Sequence, residues 1–184
     1  VLLYQVKPRD TLVSLAQRGL KRPQDYVAVQ RLNRVRDPRR LRPGSTLRLP
    51  VALLRTQPTG ARVAAFRGAA TVGGQPARVG MALVEGQEVR TAANAFLSLE
   101  LANGSLITLP SRSRVLVAGL HRILLTGQQV KSFRLLSGRA ETAVQPIRPG
   151  DRFEIRTPLS VAAVRGTNFR VTYDEAADAA GTSV

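Results

Sequence analysis

The side chains that could do chemistry in this chain are few, and their spacing does not predict catalysis. His121 is the only histidine and cysteine is absent, so the usual nitrogen and sulfur ligand sets for a metal are missing. Glu85 with Glu88 and Asp174 with Glu175 are close pairs, but nothing nearby indicates a cleft that holds two carboxylates across a bond. No nucleophile motif or phosphate-binding glycine loop occurs. We therefore predict no catalytic residue, no metal site and no cofactor, and expect His121 to lie in a loop.

Arginine is abundant, and its distribution indicates binding of anions. The 28 basic and 12 acidic residues give a formal net charge of +16. Residues 1–50 hold 12 basic and 3 acidic residues, and residues 51–184 hold 16 and 9. Guanidinium groups form charge-assisted hydrogen bonds with carboxylates, so a cluster of them is either an anion-binding surface or a solvated face. The densest cluster consists of Arg31, Arg34, Arg36, Arg39, Arg40 and Arg42.

Local patterns in the first fifty residues predict a strand, a helix and a closing strand. Apolar side chains at helical spacing predict a helix over residues 11–20. Asp10 or Thr11 can cap its free amide groups. Short strands are predicted at residues 3–6 and 46–49, where they can pair in antiparallel fashion.

A second helix is predicted between these strands. Pro23 is a favoured residue for the first helical turn, so the helix is predicted to open there. Tyr26, Val29 and Leu32 would then line one face. Asn33 can end the helix, because asparagine tolerates the left-handed conformation. The predicted order is β-α-α-β, a small α+β module.

The first fifty residues resemble a LysM domain, a carbohydrate-binding module of cell walls. The resemblance rests on the entry segment 4–12 and the exit segment 41–50, with the two helices between them. It implies a groove between the loop before the first helix and the loop after the second. Backbone groups of these loops would bind the N-acetyl group of peptidoglycan or another N-acetylglucosamine-containing glycan. The matching residues are Arg9, Asp10, Thr11, Leu12, Asn33, Val35, Arg36, Pro38 and Leu41.

Two positions depart from the LysM pattern. Arg9 stands where the family usually has glycine, and a backbone shape that glycine permits would strain an arginine. Val13 replaces a common aromatic residue, which removes a large apolar contact. The alternative is therefore a module that keeps the LysM fold without useful affinity for a glycan.

After Pro50 the apolar pattern changes to a period of two. Residues 95–101 alternate between apolar and polar side chains, and a turn signal follows at Asn103-Gly104. Similar short alternations continue to Tyr173, with turn signals such as Ser137-Gly138 between them. We predict an all-β domain that is β-solenoid-like or built of stacked sheets, since periodicity alone does not separate a solenoid from a sandwich.

The chain from about residue 60 to 173 resembles the FecR domain. The most specific part is a Thr-Pro pair at 157–158 followed by Arg-Gly-Thr-x-Phe at 165–169. The resemblance implies an extracytoplasmic all-β fold that acts in envelope signalling or accompanies wall-binding modules, and it carries over no catalytic residues. Further matching segments are residues 78–81, 83–91, 96–101, 103–105, 136–139 and 153–156.

The predicted organisation is a LysM-like glycan-binding module at residues 1–50, a connector at 51–60, a FecR-like domain at 61–173 and a tail or linker at 174–184. The chain begins with Val1 rather than methionine, so we expect a mature or excised portion. No apolar run approaches the about 20 residues that span a bilayer, so this segment is not expected to be membrane-spanning.

These features predict a non-catalytic cell-envelope protein, periplasmic or otherwise extracytoplasmic. The LysM-like module would bind peptidoglycan, and the FecR-like domain would be a scaffold or bind an envelope protein partner. The alternative is a FecR-type signalling regulator in which the LysM-like module has lost its glycan affinity. Specific nucleic-acid binding is not expected, because charge gives only salt-dependent affinity and stacking aromatic residues are nearly absent.

Overall fold

The computed structural model describes residues 1–163, 168–174 and 179–183 of the chain. The chain divides into two compact units. The first consists of residues 1–57 and 122–127, and the second of residues 58–121 and 128–184. Part of the stretch predicted as a connector therefore belongs to the first unit.

The first unit contains two strands and two short helices. Its strands pair in antiparallel register from Leu2 opposite Leu49 to Gln5 opposite Thr46. This is the predicted small helix-plus-strand module. No helix in the part of the chain that the structure describes has the length and apolarity needed to cross a membrane. The elements are β1 (Leu2–Gln5), α1 (Leu12–Gly19), a 3-10 turn (Pro23–Asp25), α2 (Tyr26–Asn33) and β2 (Thr46–Leu49).

Helix α1 forms where the spacing of apolar residues predicts it. Thr11 is its N-cap and forms a capping box with Ser14: the Thr11 hydroxyl accepts from the Ser14 amide at 3.0 Å, and the Ser14 hydroxyl accepts from the Thr11 amide at 3.0 Å. The face that carries Leu12, Leu15 and Ala16 is buried. The cap fixes where the helix begins, and the buried face fixes its orientation.

Helix α2 differs from its prediction at its start and on one face. Pro23 opens a 3-10 turn, and the α-helix begins at Tyr26. Val29 is buried, whereas Leu32 is 45% exposed. At about 100° per residue, Tyr26 and Asn33 lie on one side of Val29 and Leu32 lies on the other. The helix packs through the first side, so Leu32, which is predicted to share a face with Tyr26 and Val29, lies at the edge of the packed surface.

The end of α2 is also displaced by one residue. Asn33 stays helical, and Arg34 takes the left-handed conformation with φ +53°. The Asn33 side chain donates to the Val29 carbonyl at 2.8 Å and pairs with the Arg48 backbone on β2. Because these bonds hold Asn33 at the last helical position, the turn falls on the following residue.

The stretch that directly follows Pro50 packs within the first unit. A 3-10 turn at Val51–Leu53 leads to Leu54, which is fully buried. The Lys21 amide donates to the Leu53 carbonyl at 2.9 Å, and the Arg55 amide donates to the Gly19 carbonyl at 2.7 Å. These bonds join residues 53–55 to the end of α1.

The second part of the chain is mostly β, as predicted, and its described strands form one curled 13-stranded sheet. Most of its described strand pairs are antiparallel, so it is not specifically a solenoid, in which rungs stack in parallel. The strands are β3 (Thr56–Pro58), β4 (Ala61–Arg67), β5 (Ala70–Val72), β6 (Gln75–Pro76), β7 (Glu88–Thr91), β8 (Phe96–Leu101), β9 (Leu106–Leu109), β10 (Arg114–Ile123), β11 (Gln129–Ala143), β12 (Arg152–Arg156), β13 (Val161–Ala163), β14 (Asn168–Asp174) and β15 (Ala179–Ser183).

The core of this domain follows the predicted alternation. On β8, Leu97, Leu99 and Leu101 are buried, while Phe96 and the other intervening side chains face outwards. The sequence has few aromatic residues, and three of its phenylalanines meet in the core. The Phe153 ring centroid lies 6.1 Å from that of Phe133 and 6.2 Å from that of Phe169.

Strand β11 is the centre of the sheet, and the predicted turn at Ser137-Gly138 is wrong. The strand continues through both residues. Before them it pairs in parallel with β12, and from Gly138 onwards it pairs in antiparallel fashion with β14. Gly138 has φ +84°, and an added Cβ would lie 2.5 Å from the Arg112 carbonyl oxygen. A glycine is therefore required where the strand changes partners.

The end of the chain contains one further strand. Asp174 is the last residue of β14, and β15 pairs with β14 in antiparallel fashion. Residues 164–167, which carry part of the FecR-like motif, lie outside the described residues, as does Glu175.

We predict that Gly138→Ala lowers the free energy of unfolding by more than about 2 kcal/mol, because it adds a steric clash to an unfavourable φ. Chemical denaturation followed by circular dichroism measures this. Gly86→Ala is the matched control, since Gly86 has φ +86° but no atom within 4 Å of an added Cβ. It should cost about 1 kcal/mol. Equal losses for the two variants would show that crowding at Gly138 is unimportant.

Candidate functional site

The loop between β1 and α1 is organised around the buried carboxylate of Asp10. Its Oδ2 accepts hydrogen bonds from the Tyr4 hydroxyl and the Lys7 backbone amide, both at 2.8 Å. Its Oδ1 lies 2.5 Å from Nη2 of Arg18 on α1. One side chain thus joins the strand, the loop and the helix.

The same contacts control the protonation of Asp10. Burial by itself would raise the pKa of the carboxyl, but the hydrogen bonds from Lys7, Tyr4 and Arg18 outweigh it and hold the pKa below its ordinary value. Burial and the hydrogen bond to Asp10 raise the pKa of the Tyr4 hydroxyl. Tyr4 is therefore a neutral donor to an ionised carboxylate at neutral pH.

Arg9, at the tip of this loop, is exposed and has φ +70°. The left-handed conformation is the shape that glycine adopts freely and other residues adopt at a cost. The Asp10 amide donates to the Lys7 carbonyl at 3.1 Å across this tight turn. The strain expected from arginine at this position is present.

Thr11 and Leu12 connect the first loop to α1 and to the second loop. The Thr11 side chain is occupied by its capping bond to Ser14. The Leu12 side chain is only 2% exposed, so little of its surface can reach a ligand. Its backbone amide donates to the Pro38 carbonyl at 2.8 Å. This bond brings the two predicted loops together.

The second loop, residues 34–42, is shaped by bonds to its backbone. The Gln30 side chain donates to the Val35 carbonyl at 3.0 Å and to the Arg36 carbonyl at 3.4 Å. The Val35 amide donates back to the Gln30 carbonyl at 3.1 Å. Val35, Pro38 and Leu41 are half-buried, and Arg36 is exposed.

The structure therefore divides the predicted site residues into two groups. One group holds the loops in place: Asp10, Thr11, Leu12 and Asn33. The other presents side chains to solvent, fully or in part: Arg9, Val35, Arg36, Pro38 and Leu41. Sequence reasoning missed the supporting roles of Tyr4, Arg18 and Gln30. Each lies five to eight residues from the residue that it binds, a separation that neither helical nor strand spacing marks.

His121 lies in strand β10 and not in the predicted loop. Its Nδ1 is 2.5 Å from Glu85 Oε1, which also accepts from the Leu120 amide. Burial raises the pKa of Glu85, but these two partners outweigh it and lower the pKa overall. No group of three or more potential metal-ligating side chains occurs among the described residues.

Several open depressions lie on the described part of the second unit, and one of them has a volume of about 750 Å³. Its walls include Arg112, Arg139 and Asp174. These depressions are not lined by residues of the predicted glycan site. The candidate site is formed by two adjoining loops and not by one of these depressions.

The fold and the loops define a protein with a LysM-type module followed by a mostly β domain. The LysM domain family matches residues 4–50, and the family described as FecR protein matches residues 87–184. The second match covers more than half of the chain, which therefore belongs to the FecR family. The predicted order of the two regions is confirmed. The FecR match begins later than residue 60 and extends through the predicted tail.

Comparison with solved structures gives one further likeness. It is the crystal structure of a protein described as an anti-sigma factor from Parabacteroides distasonis, with a TM-score of 0.42 and 18% sequence identity. The match covers 53% of this chain, which spans 42% of the other chain's length. No curated protein matches the sequence significantly.

We predict that Arg9→Gly raises the free energy of unfolding of the first unit by about 0.5–1 kcal/mol, because it removes left-handed strain and the gain exceeds the entropic cost of glycine. Urea denaturation monitored by amide exchange in residues 1–57 measures this. Arg31→Gly, in the interior of α2, is the control and should lower the same free energy by about 1 kcal/mol. A loss from Arg9→Gly would contradict the strain assigned to Arg9.

A second prediction concerns Tyr4→Phe, which removes a donor to the ionised Asp10. We expect a loss of about 1.5–3 kcal/mol in the free energy of unfolding at pH 7. Because the folded pKa of Asp10 is depressed, this stabilisation is present above its unfolded pKa and is lost as pH falls through its folded pKa. The loss measured for Tyr4→Phe should therefore shrink in acid.

Denaturation at pH 7 and at several values below 4 tests the Tyr4 prediction. Tyr26→Phe is the control, since the half-buried Tyr26 has no side-chain hydrogen bond among the described contacts. It should change stability little at any of these pH values. If Tyr4→Phe lowers the free energy of unfolding by the same amount at every pH, the stabilising role assigned to the charge of Asp10 is wrong.

Proposed function

We propose that the first unit binds peptidoglycan or another N-acetylglucosamine-containing glycan between residues 9–12 and 33–41. The observation that carries this proposal is the hydrogen bond from the Leu12 amide to the Pro38 carbonyl, which sets the two loops side by side. The LysM match over residues 4–50 supports it, because LysM domains are carbohydrate-binding modules. The proposed site is thus formed by the two loops, and the second unit is left for another task.

The chemistry of such a site is hydrogen bonding combined with a small apolar contact. An N-acetyl group offers one carbonyl acceptor, one amide donor and a methyl group. Backbone groups of rigid loops supply the polar partners at low entropic cost. Val35 and Leu41 offer partly exposed apolar surface for the methyl group, and Pro38 stiffens the wall between them. Arg9 and Arg36 lie in the same two loops and reach solvent.

The residues that hold the loops in place contribute to binding by fixing the shape of the site. Asp10 fixes the first loop through Tyr4, Lys7 and Arg18, so its carboxylate has little capacity left for a ligand. Asn33 fixes the second loop against β2. Replacing either would disturb binding through the shape of the groove, and such variants test folding as much as recognition.

The second unit is proposed as a scaffold or as a docking module for an envelope protein partner. Its supporting observation is membership of the FecR family, whose domains act in the envelope. The proposed assignment of regions is a glycan module at 1–50, a connector at 51–60, a FecR-like domain at 61–173 and a terminal segment at 174–184. The protein is proposed to be non-catalytic and periplasmic or otherwise extracytoplasmic.

Envelope signalling is a second candidate function, favoured by the FecR match over more than half of the chain. In this case the LysM-type module would retain its fold without useful glycan affinity. Sedimentation with insoluble peptidoglycan separates the two. The anchoring function requires the protein to pellet at physiological salt, whereas a signalling regulator of this kind would stay in the supernatant and be recovered with a membrane protein partner.

We predict that Val35→Ser weakens binding of a soluble chito-oligosaccharide about five- to tenfold, because it removes apolar contact surface for the acetyl methyl group. Titration followed by amide chemical shifts of residues 9–12 and 33–41 measures the affinity. Val27→Ser is the matched control, since Val27 is 37% exposed on α2 and outside both loops. It should leave the affinity unchanged.

Two outcomes would contradict the glycan proposal. One is the absence of shifts in either loop at millimolar sugar. The other is an equal effect of Val35→Ser and Val27→Ser on affinity. Melting curves of both variants ensure that any difference in binding does not come from partial unfolding.

A further inference from the structure

The second loop carries an unusual density of positive charge. The arginine loop is defined here as residues 34–42, and all five of its arginines are exposed. One acid, Asp37, lies among them. Arginine guanidinium groups are weakly hydrated and form paired hydrogen bonds with carboxylates. The arginines are Arg34, Arg36, Arg39, Arg40 and Arg42.

The acids of the first fifty residues do not neutralise this loop. Asp10 is bound to Arg18 at 2.5 Å, and Asp25 is bound to Arg22 at 3.2 Å. Asp37 reaches only Arg40, at 3.9 Å. Within the described part of the chain, the other four arginines of the loop have no acidic partner. These four are Arg34, Arg36, Arg39 and Arg42.

The backbone of the arginine loop is nevertheless fixed. Asp37 Oδ1 accepts from the Arg39 amide at 2.9 Å, and the Asp37 carbonyl accepts from the Arg40 amide at 3.1 Å. The Ser45 hydroxyl donates to the Arg42 carbonyl at 2.6 Å. The loop is also tied to the first loop through Pro38. Charges on a rigid loop lose less entropy on binding than charges on a mobile one.

Two arginines at this site stand where the backbone disfavours them. Arg9 has φ +70° and Arg34 has φ +53°, one in each of the adjoining loops. Glycine or asparagine would adopt these conformations more readily. Strained backbone tends to occur at functional sites, where the side chain serves a purpose beyond stability. Asn94 and Arg112 in the second unit take the same conformation, so the strain supports the argument from charge without carrying it.

We propose that the arginine loop, with Arg9, binds carboxylates of the same wall polymer whose sugar lies in the groove. This inference rests on the proposed glycan function and adds the peptide stems of peptidoglycan as the anionic partner. The loop adjoins the groove through Pro38, so one polymer can contact both. Single-stranded nucleic acid fits less well, because Tyr4 is buried and Tyr26 half-buried, which leaves no exposed tyrosine in the module to stack on a base.

The test compares native insoluble peptidoglycan with peptidoglycan whose carboxylates have been amidated chemically. The full chain and the triple variant Arg36→Gln/Arg39→Gln/Arg42→Gln are sedimented with each at physiological salt. We expect the triple variant to bind native peptidoglycan about tenfold more weakly than the unchanged chain. Amidation should weaken the unchanged chain to the same extent and leave the triple variant nearly unaffected.

The control is a second triple variant that removes the same charge from the second unit. Arg67, Arg78 and Arg148 are exposed and have no described side-chain partner. Changing these three to Gln should leave binding to both forms of peptidoglycan unchanged. If it weakens binding as strongly as the loop variant does, net charge alone explains the effect and the inference is wrong.

Titration with a neutral chito-oligosaccharide separates this inference from the glycan proposal. If the loop variant keeps the affinity of the unchanged chain for both the neutral sugar and native peptidoglycan, the inference fails and the glycan function stands. If the unchanged chain does not bind the neutral sugar, the glycan function itself is refuted, and the inference that rests on it falls too. Displacement from native peptidoglycan by duplex DNA or phosphatidylglycerol vesicles at lower anion concentration than by free wall peptide would also overturn the inference. If the triple variant melts at a lower temperature than the unchanged chain, the measurement is repeated with the single variant Arg36→Gln.

Discussion

Left-handed backbone at a few positions is the constraint on which both units depend. In the second unit the constraint is met mostly by glycine, and also by Asn94 and Arg112. Gly138 lets the central strand β11 pass close to Arg112 and change partners without a break. In the first unit it is met at Arg9 and Arg34, which are costly choices for the same geometry. Both units therefore hold non-glycine residues in this costly conformation, and two of the four described ones, Arg9 and Arg34, lie in the loops of the candidate site.

The sequence was sufficient to predict α1 and both strands of the first unit. Helical spacing and the cap at Thr11 are local signals, and the structure satisfies them locally. The end of α2 could not be predicted in this way, because Asn33 is held by Arg48, fifteen residues away on β2. Asparagine does tolerate the left-handed conformation, but here Arg34 adopts it instead of Asn33. The contact between Asn33 and Arg48 keeps Asn33 helical.

The mostly β character of the second part was also predictable, because alternation such as that of β8 directly reflects one buried and one exposed face. Its connectivity was not. A glycine with positive φ serves a turn between two strands as well as a kink within one strand, so Ser137-Gly138 gave the same signal for either. The pairing of β11 with β12 and then β14 depends on residues far along the chain, which no local pattern contains.

The candidate site could also be predicted only in part from the sequence, and the part that was missed bears on function. Resemblance picked out residues in two loops without ranking them, whereas the contacts separate those that hold the loops from those that face solvent. Asp10 has its carboxylate engaged by three donors and can act only through shape. Arg36 is free to meet a ligand and lies in a loop with surplus positive charge. The proposed recognition thus combines two loops fixed by buried polar contacts with arginines that have no acidic partner among the described residues. A polymer that carries both acetylated sugars and carboxylates matches that combination better than a neutral glycan alone.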